Sequence, residues 1–591
     1  MGGFSYRADI DGVRAVAVMG VILAHAGLGA PGGFLGVDIF FVISGYLITT
    51  ILLRDLEVGR YTLRGFYERR ARRILPALVL VIACCVPFAV WLLLPDFLEN
   101  FGQSVFATLF FSNNILLAAT SGYWEIESAF KPLLHTWSLG VEEQFYIVFP
   151  LLLAFLWRFG RRAQIVTLAV AAVVSFALAE HGWRTYPEAS FYLPTSRAWE
   201  LLAGCLIAYV PRKPRGSDQA VTLACLAALI LPLVLFDEHT PSPSVYSAIP
   251  VLATAGLIVF NRPETLAYRL LALRPLVFIG LISYSAYLWH QPVFAFVRIA
   301  SFEPPGQATM VALTIATLAL AALSWWFVER PFRDRAAMPL RRFVPLVGSG
   351  TALLAAGALV LHFSHGFPRW TYPNIDGGGD VYIAYNERIR QYSAESFPDN
   401  GKPNVLLIGT SYGRDIGNVM IEAGAIEGKN LVYFARLHDC GEDGTDHEVE
   451  RRLSRQASLV VVALEEYEPA CARAVAQRVE GNTDAPVVYF GTKNWGRNIN
   501  PFGRVPVEER ASAYATMPPE VVRGNDAARA MLGGSFIDMA RLLGDGRRLR
   551  FYDDRGNPLA PDRWHLTRYG ARFVARKLDA DRPSGWRLIA G

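Results

Sequence analysis

A serine, an aspartate and a histidine near the C-terminus have the types needed for nucleophilic catalysis. Ser411 follows the apolar run Val405-Leu406-Leu407-Ile408 and precedes Gly413. A hydroxyl is a weak nucleophile until an imidazole takes its proton, and the imidazole needs a carboxylate to orient it. Asp562 and His565, three positions apart, supply both groups from one turn. Together the three imply an ester formed on the Ser411 hydroxyl. Near the N-terminus, Arg14 and His25 interrupt an apolar run from Asp9 to Ala26. Their spacing is close to three helical turns, so they share one helix face, roughly 16 Å apart along the axis. Ionisable groups in a membrane-length apolar helix point to function. A neutral histidine there can act as a base or as a nucleophile.

The elements that position these groups follow from composition. The chain has 591 residues, of which 52% are hydrophobic and 18% charged, too apolar for a soluble protein of this size. The net charge of +5 is carried by short arginine clusters between apolar runs, a topology signal rather than a nucleic-acid footprint, and no nucleic-acid partner is expected. Apolar runs fall at about 11–28, 36–54, 75–95, 103–119, 140–157, 164–180, 197–210, 219–235, 245–260, 275–297, 308–327 and 343–363. If every run crossed a membrane, the basic loops after Trp157, after Tyr209 and before Phe343 would fall outside, against the positive-inside rule. The most polar run, 103–119, holds Gln103, Ser104, Ser112, Asn113 and Asn114 and is expected not to cross. That leaves about eleven spans, a cytoplasmic N-terminus and an extracytoplasmic C-terminal domain, periplasmic if the membrane is a bacterial inner membrane.

Further polar clusters lie at membrane depth. Asp38 opens the second run within Gly36-Val37-Asp38-Ile39-Phe40-Phe41. Arg69-Arg70-Ala71-Arg72-Arg73 precedes the third. His135-Thr136-Trp137-Ser138 leads into Glu142-Glu143-Gln144 at the fifth, Arg197-Ala198-Trp199-Glu200 opens the seventh, Ser283-Tyr284-Ser285-Ala286-Tyr287-Leu288-Trp289-His290 lies in the tenth, and Glu329-Arg330-Pro331-Phe332-Arg333 closes the eleventh. So many polar groups in one bundle suggest a polar path through it.

These motifs, in this order over about residues 5–340, resemble the acyltransferase-3 family of membrane acyltransferases. The resemblance implies transfer of an acyl group, usually acetyl, from cytoplasmic acyl-CoA to an extracytoplasmic glycan or lipid-linked sugar. It places the family's Arg-x10-His pair on Arg14 and His25 and its basic motif on Arg70 and Arg73. An arginine patch suits the phosphates of coenzyme A. Asp38, His135, Glu142 and Glu143 are further pathway candidates, with Glu142 or Glu143 expected to orient or buffer His25 and Asp38 expected near it.

The membrane domain is read as 1–340, with one more transmembrane helix at 341–365, a linker or extension at 366–400 and a soluble domain at 401–591. Strands are expected at Val405–Ile408, 430–434, 458–464, 486–490 and 549–553, with helices between, the first from about Gly413. That alternation makes a parallel α/β sandwich, whose site lies beyond the carboxyl ends of the strands. Residues 400–580 resemble the SGNH hydrolase and acetyltransferase fold, a three-layer domain, and the resemblance places the Ser, Asp and His roles on Ser411, Asp562 and His565. Thr410 stands where the family has Asp. The family's Gly-x-Asn-Asp block is missing after the third strand, where the chain reads Ala463-Leu464-Glu465-Glu466, and Asn494 is a weak substitute. Of the six cysteines, only Cys440 and Cys471 lie in this domain, a candidate disulfide in an oxidising compartment.

The expected activity is an O-acyltransferase that delivers acetyl from acetyl-CoA to a cell-envelope glycan, such as lipopolysaccharide O-antigen, exopolysaccharide or peptidoglycan, with no metal. The membrane lipid is its solvent. A periplasmic carbohydrate esterase uses the same triad, and a transporter of glycan or acyl units would leave the triad unexplained.

Overall fold

The structure is a computed structural model that describes residues 6–120, 128–211, 218–376, 382–435, 447–463 and 468–591. The chain forms two compact units. The first comprises Met1–Trp91, Phe97–Arg298 and Pro304–Phe363, and the second Leu92–Asp96, Ile299–Glu303 and Ser364–Gly591.

The first unit is a multi-pass helical bundle. Among the described residues, seven helices are long and apolar enough to cross a membrane, and Val245–Phe260 is a shorter apolar helix. The polar run 103–119 forms no single helix. It is divided between Pro95–Leu109 and Asn113–Thr120, with Phe111 in the left-handed region between them. Neither piece alone is long enough to span a bilayer.

Helix Ala8–Ala26 is buried on several sides and carries Arg14 and His25. It packs closely against Leu266–Leu271 and Arg274–Leu281 because a glycine sits at each contact. A Cβ on Gly12 would lie 2.0 Å from the Leu271 carbonyl oxygen, and one on Gly280 would lie 1.9 Å from that of Asp11. Such backbone approach is how helices associate where lipid offers no hydrophobic drive. It brings the following helix, Ser283–Ala300, alongside Arg14 and His25.

The second unit is built on a parallel sheet. Its strands are β1 (Asn404–Gly409), β2 (Asn430–Phe434), β3 (Leu459–Ala463), β4 (Val487–Phe490), β5 (Tyr514–Thr516), β6 (Phe536–Ile537) and β7 (Arg548–Arg550). Five of them form one sheet in the order β2-β1-β3-β4-β6. Its inner strands are near-continuous buried apolar runs, as expected when helices cover both faces. The expected strand at 549–553 is not in this sheet. It shrinks to β7 and pairs antiparallel with β5 in a separate ribbon. The sheet takes β6 instead, only two residues long and too short to leave a period in the sequence.

The connection out of β1 runs to β2 on one side, and the connection out of its other neighbour, β3, runs away to β4. The crevice beyond β1 is therefore the topological switch point where ligands bind in such sheets. Part of the stretch read as linker is packed into this unit, with Tyr382, Asn386 and Ile389 buried. Cys471 is disulfide-bonded. Its expected partner, Cys440, lies outside the described residues, as do Leu464 to Glu466.

Candidate functional site

In the second unit, Ser411 is the first residue of helix Ser411–Glu422, two positions earlier than the sequence suggests. The imidazole of His565 lies between the other two members of the triad. Its Nε2 is 2.8 Å from Ser411 Oγ and its Nδ1 is 2.7 Å from Asp562 Oδ2. The other Asp562 oxygen accepts the backbone N–H groups of Trp564 and His565 at 2.7 and 2.8 Å. The turn itself thus holds the carboxylate that holds the histidine. A carboxylate can only accept, so Nδ1 carries the proton and Nε2 is free to take one from Ser411.

Burial opposes charge on both groups, yet each stabilises the other's ionised form. Asp562 is held below the usual carboxylate value, because the His565 charge and hydrogen bonds outweigh desolvation. His565 is held above the ordinary histidine value, because the Asp562 charge and hydrogen bond outweigh desolvation, with Asp415 assisting and Lys493 opposing. The N–H groups of the first helical turn have no partner within the helix and can serve as oxyanion donors. Asn494 is buried, and its Oδ1 accepts the Gly496 N–H at 2.8 Å.

Beneath the triad is a network that sequence reading missed. Asp415, one turn after Ser411, accepts from Lys493 Nζ at 2.8 Å, from the Leu566 N–H at 2.9 Å and from Asn386 Nδ2 at 2.9 Å. One buried carboxylate therefore ties the nucleophile's helix to the residue after the base. Its only sequence signal is a charged residue four positions from the nucleophile.

In the first unit, Arg14, Arg70, Arg73 and Glu142 line one cavity. Apolar walls from Phe40, Phe41, Leu47 and Leu139 face these charges. The four arginines of the basic motif divide by helix phase. Arg69 pairs with Asp55 at 2.8 Å, and Arg72 pairs with Glu68 at 2.9 Å. Arg70 and Arg73, three apart on another face, reach the cavity, and among the described residues neither has an ion-pair partner. Arg14 donates to Ser283 Oγ at 2.8 Å and pairs with Asp11 at 3.2 Å.

Tyr287 and Ser138 also line this cavity, and their hydroxyls are 2.6 Å apart. The Tyr287 ring packs against His135 and His290, with ring centres 5.3 Å away in each case. His25 Nδ1 lies 3.0 Å from His290 Nε2. His25, His135 and His290 thus form one cluster behind Tyr287. The two nitrogens of the His135 ring make no hydrogen bond in this cluster.

Two expectations fail here. Neither Glu142 nor Glu143 orients His25. Glu142 accepts from Ser44 and Tyr146, while Glu143 is buried with Oε1 unpartnered, and His290 takes the place beside His25. Asp38 is also not paired with His25. It is buried against Arg197 at 3.2 Å, and Arg197 also pairs with Glu200 at 3.1 Å. A carboxylate taken out of water needs such a partner, and the ion cluster meets that need locally.

Residues 7–329 match the sequence profile of the family described as Acyltransferase domain. The chain belongs to this family. Its similar relatives include the peptidoglycan O-acetyltransferase OatA of Listeria monocytogenes, 33% identical over 352 residues and covering 56% of each chain. The O-acetyltransferase OatA of Staphylococcus aureus is 32% identical over 351 residues, 56% of this chain and 58% of its own. The putative peptidoglycan O-acetyltransferase YrhL of Bacillus subtilis is 34% identical over 358 residues, 56% of this chain and 55% of its own. The chain spans about half the length of the curated relatives it matches. No solved structure matches it. The family profile covers Arg14, His25, the basic motif and the histidine cluster; the Ser411 triad lies beyond it.

Proposed function

We propose that this protein is an O-acyltransferase that carries an acyl group, most simply acetyl, from cytoplasmic acetyl-CoA to a hydroxyl of an extracytoplasmic envelope glycan. The observation that carries this reading is a complete Ser411–His565–Asp562 triad in a chain whose membrane unit belongs to an acyltransferase family. The cytoplasmic side is that of Arg14 and the basic motif. Arg70 and Arg73, cations without ion-pair partners among the described residues, suit the phosphates of the donor. His25 serves as base or as carrier for the acyl group leaving the CoA thiol.

In the second unit, His565 Nε2 takes the Ser411 proton as Oγ bonds to the acyl carbon. The leaving group departs with that proton, and an SGNH-type serine ester remains. A glycan hydroxyl then attacks the ester carbon, gives its proton to His565 and releases Ser411 with the proton returned to Oγ. The relatives named as peptidoglycan O-acetyltransferases favour peptidoglycan as the glycan class.

The test compares envelope glycans by mass spectrometry from cells with the intact protein and with Ser411→Ala. The expected result is loss of the protein-dependent acyl mass in the variant. Unchanged acylation would overturn the role of Ser411. A gain of acyl mass on deleting the protein would favour an esterase.

A further inference from the structure

We propose that His290 is a positioning residue that fixes the tautomer of His25 and leaves the His25 Nε2 lone pair free to react. The inference rests on the acyl-transfer reading only for what His25 then does; the tautomer follows from hydrogen-bond geometry alone.

A backbone carbonyl sets the tautomer. His290 Nδ1 lies 2.6 Å from the backbone oxygen of Tyr287, one turn back on the same helix. A carbonyl oxygen can only accept, so Nδ1 bears the proton. His290 is fully buried, and no carboxylate pairs with it among the described residues. A neutral imidazole with a proton on Nδ1 has a bare lone pair on Nε2. That nitrogen faces His25 Nδ1 at 3.0 Å, so His25 must donate there. Neutral His25 then carries its single proton on Nδ1, and its Nε2 is a lone pair. No hydrogen bond to that Nε2 is found among the described residues.

The anchor extends to the cavity wall. The residue whose carbonyl sets His290 is Tyr287, whose hydroxyl donates to the His135 carbonyl at 2.9 Å and whose ring lines the cavity with the arginines. A second constraint comes from Arg298, which donates to the backbone carbonyl of His25. His25 is thus held at its ring by one residue and at its backbone by another, both on the same helix, Ser283–Ala300. As a base, His25 takes a substrate proton on Nε2. As a carrier, it bonds to the acyl carbon through Nε2 while the thiolate leaves, and its Nδ1 proton is shared with His290.

The test uses full-length protein in detergent and two amide variants. In His290→Gln, the amide oxygen takes the place of Nε2 as acceptor for His25. In His290→Asn, the side chain is one methylene too short to reach it. Nucleophilicity is read by diethyl pyrocarbonate, whose carbonyl is attacked by imidazole Nε2 with loss of ethyl carbonate. Peptide mass spectrometry follows the rate at His25 and ignores the other histidines. The expected result is near-native labelling of His25 in His290→Gln and a several-fold slower rate in His290→Asn. Glycan acylation should follow the same order, with His290→Asn losing on the order of 10²-fold, the low end of what a correctly protonated base supplies. Equal labelling of His25 in the two variants and the wild type would overturn the proposal. If labelling follows this order but no variant, nor the wild type, acylates glycan, the tautomer assignment stands and the acyl-transfer reading falls.

Discussion

Each unit of this protein prepares one imidazole, and they do so by opposite means. His565 is held by a charge: Asp562 fixes its proton and raises its affinity for a second one. His25 is held by a neutral ring, itself set by a backbone carbonyl. The difference follows the solvent. In the partly exposed triad, an ionised carboxylate is tolerated because its own backbone N–H donors satisfy it. In a membrane bundle, an extra carboxylate would need its own counter-charge, as Asp38 does. A tautomer can therefore be fixed with or without charge, and only the charged version also tunes the proton affinity of the base.

The comparison breaks most easily at Asp562. Asp562→Asn swaps a charge for a neutral amide and allows the wrong His565 tautomer; in serine-protease triads the same change costs about 10⁴-fold in kcat. A loss of that order is expected for turnover of an acetyl ester by the full-length protein. The pH profile carries a second signature. His565 must be neutral to act, so activity rises as pH climbs through its pKa. That pKa lies above the ordinary value of about 6.5, chiefly because the Asp562 interactions outweigh burial. Removing the charge should move the acidic limb to lower pH. A limb that stays in place would mean that Asp562 only positions the ring, as His290 does.

A smaller effect tests whether the paired membrane charges are structural. Arg197→Leu leaves Asp38 and Glu200 buried without their cation, and a loss of about 3–5 kcal/mol is expected for breaking such a pair. Thermal unfolding in detergent measures it. An unchanged midpoint would show that these carboxylates are neutral without Arg197 and need no counter-charge.

The smallest effect separates the arginines of one motif. Arg70→Ala or Arg73→Ala should raise the KM for acyl-CoA by on the order of tenfold, as expected for one lost charged hydrogen bond. Arg69→Ala breaks an ion pair on the other face and should change it by no more than about twofold to fivefold. Steady-state transfer in membrane vesicles at fixed ionic strength reads the order. Equal effects from all three would assign the motif to topology alone.

The triad was legible because each of its two parts has a local pattern, although Ser411 and His565 are 154 positions apart. Asp562 and His565 sit on one turn and Ser411 ends a short apolar run, and the resemblance to a known fold joins the two patterns. The sheet was legible where strands are long and apolar. The two-residue β6 was not, and the apolar residues near Phe551 belong beside a ribbon rather than in the sheet. The His25 partner was not legible because it lies 265 positions away. His290 stood out as a polar residue in an apolar helix, but nothing in the chain says which ring it meets. Asp415 and Lys493 were hidden for the same reason: a buried ion pair between distant segments has no spacing. The partners of Glu142 were not legible either, since Ser44 lies on another span, 98 positions away.

The basic motif has one more property. Its order, two arginines, an alanine and two arginines, puts a pair three apart in two adjacent phases of the helix. Arg70 and Arg73 point into the cavity, while Arg69 and Arg72 act as struts. Inserting one residue ahead of Arg69, with the start of the helix held in place, would turn the rest of the helix by about 100°. Arg69 and Arg72 would then rotate into the cavity positions, and two guanidinium groups would still meet there. The motif is written so that an error of one residue in register changes which arginines face the cavity, not how many.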